Sequence, residues 1–138
     1  MYLVDMENKI KQLRKGILEL AILGALDRQS HYGYSLIKHL TGDNGIELTE
    51  GTIYPILSRL SREGLVSAEW MESRQGPPRK YYALTESGAE AHRVLAGEFT
   101  RLQELVARAS SAIDRNHEPE NLPQIEINKE ANHDQRNE

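Results

Sequence analysis

Glu50-Gly51-Thr52-Ile53-Tyr54-Pro55-Ile56-Leu57-Ser58-Arg59-Leu60-Ser61-Arg62-Glu63-Gly64 is the stretch on which the fold turns. Ile53, Ile56, Leu57 and Leu60 recur at helical spacing and mark a buried stripe, while Thr52, Pro55, Arg59 and Arg62 fall on another side of the same cylinder. One face packs and the other is free to touch something. Gly64 supplies the left-handed stop, so the helix ends near Glu63. Its start is Thr49 or Thr52, both good caps. With Thr52 as cap, Pro55 lies in the first turn, where its missing N–H is not needed. With Thr49 as cap the proline sits deeper and predicts a kink.

Downstream, Leu65-Val66-Ser67-Ala68-Glu69-Trp70 and Lys80-Tyr81-Tyr82-Ala83-Leu84 read as two strands, and one of Tyr81 and Tyr82 must face the core because neighbours alternate. Trp70 is expected to be a core or domain-interface anchor. The link between the strands carries Arg74, Gly76, Pro77, Pro78 and Arg79. A basic hairpin beside a basic helix is the layout of a winged helix that reads nucleic acid.

Upstream, residues 9–26 place apolar side chains on more than one side, which predicts a helix buried nearly all round. Its forward part, Leu3, Met6, Ile10 and Leu13, is expected to fray or to pack on a partner. Ser30 is expected to cap a second helix with Gly33, Leu36, Ile37 and Leu40 on its apolar line and Gly42 at its close. Asp43-Asn44-Gly45 is turn chemistry. At the other end Thr85 caps a long helix in which Ala91, Leu95, Leu102, Leu105, Ala109 and Ile113 recur close to every seven residues, with Val94, Phe99 and Val106 broadening the stripe. Nothing nearby in sequence covers that stripe, so a second copy of the chain is its simplest partner. After Asp114 the composition turns polar and acidic, as expected of a disordered tail.

These readings divide the chain into a winged helix DNA-binding domain at 1–85, a dimerisation helix at 86–115 and a tail at 116–138. The fold class is mainly α with a small β wing. With 138 residues there is room for one ordinary domain and an appendage. The lack of cysteine excludes disulfides and thiolate metal sites, and the start of the chain resembles neither a signal peptide nor a membrane span. A soluble cytoplasmic protein without membrane partners is expected. The net charge of −4 argues against sequence-blind DNA binding. That charge is uneven: residues 1–85 hold eleven Lys/Arg against ten Asp/Glu, and residues 86–138 six against eleven. A locally basic face fits on a globally acidic chain.

Neither a Ser/His/Asp set, a pair of carboxylates in a pocket nor a glycine-rich phosphate loop occurs, so an enzyme is not expected. His31 and His39 are eight residues apart and could share a helix face, but no carboxylate joins them at ligand spacing, so neither metal nor cofactor is expected.

Several segments resemble the PadR family of bacterial transcriptional regulators: residues 13–23, His31-Tyr32-Gly33-Tyr34-Ser35-Leu36-Ile37, Glu50-Gly51-Thr52-Ile53-Tyr54-Pro55-Ile56-Leu57-Ser58-Arg59-Leu60, Glu63-Gly64-Leu65-Val66, and Gly76-Pro77-Pro78-Arg79-Lys80-Tyr81-Tyr82-Ala83-Leu84-Thr85. The likeness runs over roughly residues 10 to 113. It implies a homodimeric repressor on an inverted-repeat operator of double-stranded DNA, with a single C-terminal dimerisation helix as in the short members of the family. It further implies release by a small phenolic or drug-like effector. Arg59, Arg62, Arg74, Arg79 and Lys80 are then the expected phosphate partners, Lys15 and Tyr34 secondary ones, and Thr52, Tyr54, Pro55 and Ser58 the base-facing positions. Tyr54 has a competing reading as a core residue. Leu95, Phe99 and Leu102 are the candidate effector liners, and Ala91, Leu95, Leu102, Leu105, Val106, Ala109 and Ile113 the dimer seam. A winged-helix interaction module with weak or no DNA binding is the alternative that the acidic balance keeps open.

Overall fold

The computed structural model describes residues 4–43 and 45–111, without the side chain of Ser111. Leu3, Asn44, Ile113 and the tail at 116–138 lie outside the described residues. The order of elements is α1 (Met6–Arg28), β1 (His31–Tyr32), α2 (Gly33–Thr41), α3 (Glu50–Arg62), β2 (Val66–Met71), β3 (Arg79–Leu84) and α4 (Glu86–Ser111). The three strands form one antiparallel sheet in the order β1-β3-β2. This is a helix-turn-helix with a β wing, followed by one long helix.

The core gathers Ile22, Leu23, Ala25 and Leu26 of α1, Leu36 of α2, Val66 and Tyr82 of the sheet, and all four residues of the α3 stripe. Six of these, Ile22, Leu23, Leu36, Ile53, Leu57 and Leu60, are sealed from water. Each such side chain contributes roughly 1.5–3 kcal/mol relative to an exposed position. Of the two neighbouring tyrosines it is Tyr82 that packs.

Helix α1 corrects the expectation of all-round burial. Asp5 caps it, accepting from the Asn8 N–H at 3.1 Å. Its covered part runs from Leu18 to Leu26, whereas Met6, Ile10, Leu13 and Ile17 stay exposed along one line, Leu13 at 70%. Apolar periodicity records that a side chain seeks cover and not which body supplies it. A second correction concerns Ser30. The chain at His31 and Tyr32 pairs with Tyr82 and Tyr81 of β3, so it stays extended until Gly33 and Tyr32 becomes the N-cap residue of α2. The Ser35 hydroxyl bonds to His31 Nδ1 at 2.7 Å across the first turn.

Thr49 proves to be the N-cap residue of α3, which carries Pro55 inside it. A proline there costs about 3 kcal/mol in a helix interior, through the lost bond to the Gly51 carbonyl and ring crowding. The helix closes on a Schellman motif: Gly64 has φ +77°, its N–H donates to Ser61 O at 3.1 Å, and Leu65 N–H donates to Leu60 O at 3.0 Å.

A compact joint follows where the sheet meets α4. The Thr85 hydroxyl donates to the Gly64 carbonyl at 2.7 Å and accepts from the Gly88 N–H at 3.0 Å, while Thr85 N–H donates to Leu65 O at 3.1 Å. Gly88 is required by the closeness of that packing. A Cβ on it would stand 2.7 Å from Leu84 Cδ1 and 3.0 Å from the Leu65 carbonyl carbon, and nearer still to the carbonyl oxygen.

Candidate nucleic-acid interface

Helix α3 has three working sides besides its buried stripe. Pro55, Ser58 and Arg62 occupy the side turned away from the core, and all are exposed. Thr52 and Arg59 lie on the flank toward α1. Arg59 donates to Glu19 of α1 at 2.8 Å, with the two side chains 35% and 23% exposed, so this cation braces the fold as well as edging the surface. Thr52 instead borders a groove of about 400 Å³ between α3, α1 and the segment before α3, floored by Leu18, Leu48 and Ile56, with Lys15 on the opposite wall.

Tyr54 occupies the other flank, toward α2. Its ring covers Gly33, where a Cβ would come within 2.5 Å of Tyr54 Cζ. Burial, then Glu50, raises its phenol above the ordinary tyrosine value, and Tyr82 is raised by burial and by the nearby Tyr54. Tyr54 thus lies between the two readings of the sequence, with 37% of its surface exposed and its hydroxyl end turned to the domain.

On the wing, Arg74, Arg79 and Lys80 are all exposed. The Arg79 guanidinium lies 4.4 Å from the centroid of the Tyr32 ring, which meets Tyr81 edge-on and Tyr34 in a stacked pair at 6.5 Å. Lys38 sits over Tyr34 at 5.5 Å. Cations held on rings in this way keep their charge and lose rotamer freedom in advance of binding. Sequence reasoning missed Tyr32 and Lys38. The Tyr34 to Lys38 spacing of one helical turn was visible, but the link to Arg79 exists only through the β1–β3 pairing. Trp70, expected inside, is 69% exposed with Lys80 over its ring at 5.8 Å. Its register partner is Lys80, at the end of the sheet beyond the last core residue.

His31 is buried and its ring lies 5.3 Å from that of His39. Burial first, and the His39 ring second, lower its pKa below the usual histidine value. No group of three or more metal-ligating side chains occurs among the described residues.

Along α4, Val94, Leu95, Leu102, Leu105 and Val106 are exposed, and Ala109 shares their face. Ala91, expected in that seam, is half-buried against the domain's own core. Phe99, one of the candidate effector liners with Leu95 and Leu102, is half-buried. No helix among the described residues is long and apolar enough to cross a membrane.

A winged helix-turn-helix with an exposed reading helix and a cationic wing defines the class of DNA-binding transcriptional regulators. The model of the transcriptional regulator PadR-like family matches residues 22–94, and the chain belongs to that family. Solved relatives agree. The chain is similar to a PadR-like transcription factor from Bacteroides fragilis, with 40% identity and a TM-score of 0.63, covering 74% of this chain and 98% of that one. A PadR family regulator from Eggerthella lenta is 34% identical with a TM-score of 0.66, over 75% of this chain and 90% of that one. A PadR-like regulator from Bacillus cereus is 32% identical with a TM-score of 0.59, over 77% and 99%. The protein is therefore a transcriptional regulator and not an enzyme, and DNA is its partner.

Proposed function

We propose that the protein is a repressor that binds an inverted-repeat operator as a homodimer. The observation that carries this reading is the exposed side of α3 together with the exposed cations of the wing. Thr52, Pro55 and Ser58 face base edges in the major groove, Thr52 and Ser58 by hydrogen bonding and Pro55 against a thymine methyl. Tyr54 joins them with the exposed part of its ring. Arg62, Arg74, Arg79 and Lys80 hold phosphates, with Lys15 and Tyr34 as outer contacts and Arg59 sharing its charge between Glu19 and the duplex. Dimerisation follows from two uncovered apolar lines, Leu95, Leu102, Leu105, Val106 and Ala109 on α4, and Met6, Ile10, Leu13 and Ile17 on α1. Among the described residues nothing covers either line, and a twofold axis lets each copy supply the cover. Two copies demand half-site centres about one helical turn, roughly 34 Å, apart. Release by a small aromatic or drug-like effector is what membership of the family implies, with Leu95, Phe99 and Leu102 as its liners.

Selecting bound fragments from random duplexes and footprinting them tests the reading. Symmetric half-sites are expected, and Leu102→Glu with Leu105→Glu should give single chains in ultracentrifugation with loss of the symmetric footprint. A single unpaired half-site, or single chains at micromolar concentration in the unaltered protein, refutes it.

A further inference from the structure

Arg59 is the cation nearest the middle of α3, and its ion pair with Glu19 leaves the flank of α3 facing α1 short of free positive charge. Across the groove from that flank, α1 presents Lys11, Arg14 and Lys15 within little more than one turn. None of the three has an ion-pair partner among the described residues, and a single carboxylate, Glu47, shares the lining with them. With three cations against one carboxylate, the lining is net cationic. The wall of α1 overlooks Thr52, the base-facing residue at the start of α3.

We propose that this wall of α1 is a phosphate track, a second backbone anchor through which one DNA strand passes after leaving the reading helix. The inference rests on the reading of α3 given above and adds Lys11 and Arg14 to the contact set. Lys11 to Lys15 spans about 6 Å of helix axis. Long flexible side chains that fan out from this span let each of the three cations reach a phosphate of its own along one strand. The aliphatic floor formed by Leu18, Leu48 and Ile56 carries no charge to repel the strand and offers apolar surface to the sugars between those phosphates. Such contacts position the protein without reading bases, so they strengthen every sequence alike.

The test uses the full chain and a duplex that the unaltered protein selects from a random 30-base-pair pool. Binding is followed by fluorescence anisotropy across a salt series for the unaltered chain, for Lys11→Gln with Arg14→Gln, for Arg79→Ala with Lys80→Ala, and for Arg28→Gln, which lies outside the groove. Each lost phosphate contact flattens the plot of log affinity against log salt by about 0.9. The α1 pair should therefore lower the slope by about 1.8. It should select the same sequence and unfold at the same temperature as the unaltered chain. Arg28→Gln should leave the slope where it was. An unchanged slope for the α1 pair alongside a flattened slope for the wing pair overturns the track and leaves the reading of α3 and the wing intact. Equal flattening by Arg28→Gln also overturns it, because overall charge then explains the loss. Failure of the unaltered chain to select any duplex overturns both.

Discussion

Two glycines of α4 should respond to alanine with opposite signs. Alanine is favoured over glycine in a helix by about 1 kcal/mol, so propensity alone stabilises both substitutions. At Gly97 nothing lies within 4 Å of the added Cβ, and Gly97→Ala should gain about 0.4–1 kcal/mol. At Gly88 the new methyl meets the Leu65 carbonyl and Leu84 Cδ1. One of these obstacles is backbone, so the start of α4 must move. Overpacking costs about 1–3 kcal/mol. The shift also weakens the Thr85 N–H bond to Leu65 and the Gly88 N–H bond to the Thr85 hydroxyl, at about 1 kcal/mol each. After the propensity gain is subtracted, Gly88→Ala should lose about 2–4 kcal/mol. Urea unfolding followed by helical circular dichroism, at one fixed protein concentration because the proposed dimerisation would contribute to stability, measures both. A Gly88→Ala chain as stable as the unaltered one, or a Gly97→Ala chain less stable than it, would refute the packing argument.

A double-mutant cycle on Arg59→Gln and Glu19→Gln should return a coupling of about 1 kcal/mol, since the pair is only partly shielded from water; simple additivity would show that the bridge does not hold α1 to α3. Stability should also fall with acid through His31. Its folded pKa is depressed, so below the ordinary value of about 6.5 the unfolded chain takes up the proton first and the melting temperature drops between pH 7 and pH 5. His31→Gln should flatten that segment of the curve, and an unchanged segment would clear His31 of the effect. Trp70 is the sole tryptophan and is 69% exposed, so acrylamide should quench the emission of the free chain efficiently and that of the duplex-bound chain less. Blue-shifted, unquenched emission from the free chain would place the indole inside and contradict the wing geometry.

The elements set by short-range chemistry could be read in the sequence. The α3 stripe, the Gly64 stop, the two wing strands and the cap at Thr85 each depend on residues within a turn of one another. What escaped reading depended on distant partners. Ser30 looked like a cap because nothing local announces that His31 and Tyr32 pair with β3 fifty residues later. Trp70 reads as a core or domain-interface anchor, and only the register shows the core ending before it. Arg59 stood out as a basic residue on an exposed stripe, yet Glu19, forty positions earlier, shares its charge. The same limit applies to α1, whose apolar line was legible while its exposure in the fold was not.

The Thr85 hydroxyl bridges the carbonyl of Gly64 and the amide of Gly88 with a single oxygen atom. Such a weld leaves no slack between the exit of the reading helix and the root of the long helix. In the proposed dimer that corner helps to set how far apart the two probes stand. Operators whose halves are shifted by one base pair should then be penalised by distortion of the DNA, because that corner gives the proposed dimer little with which to follow them.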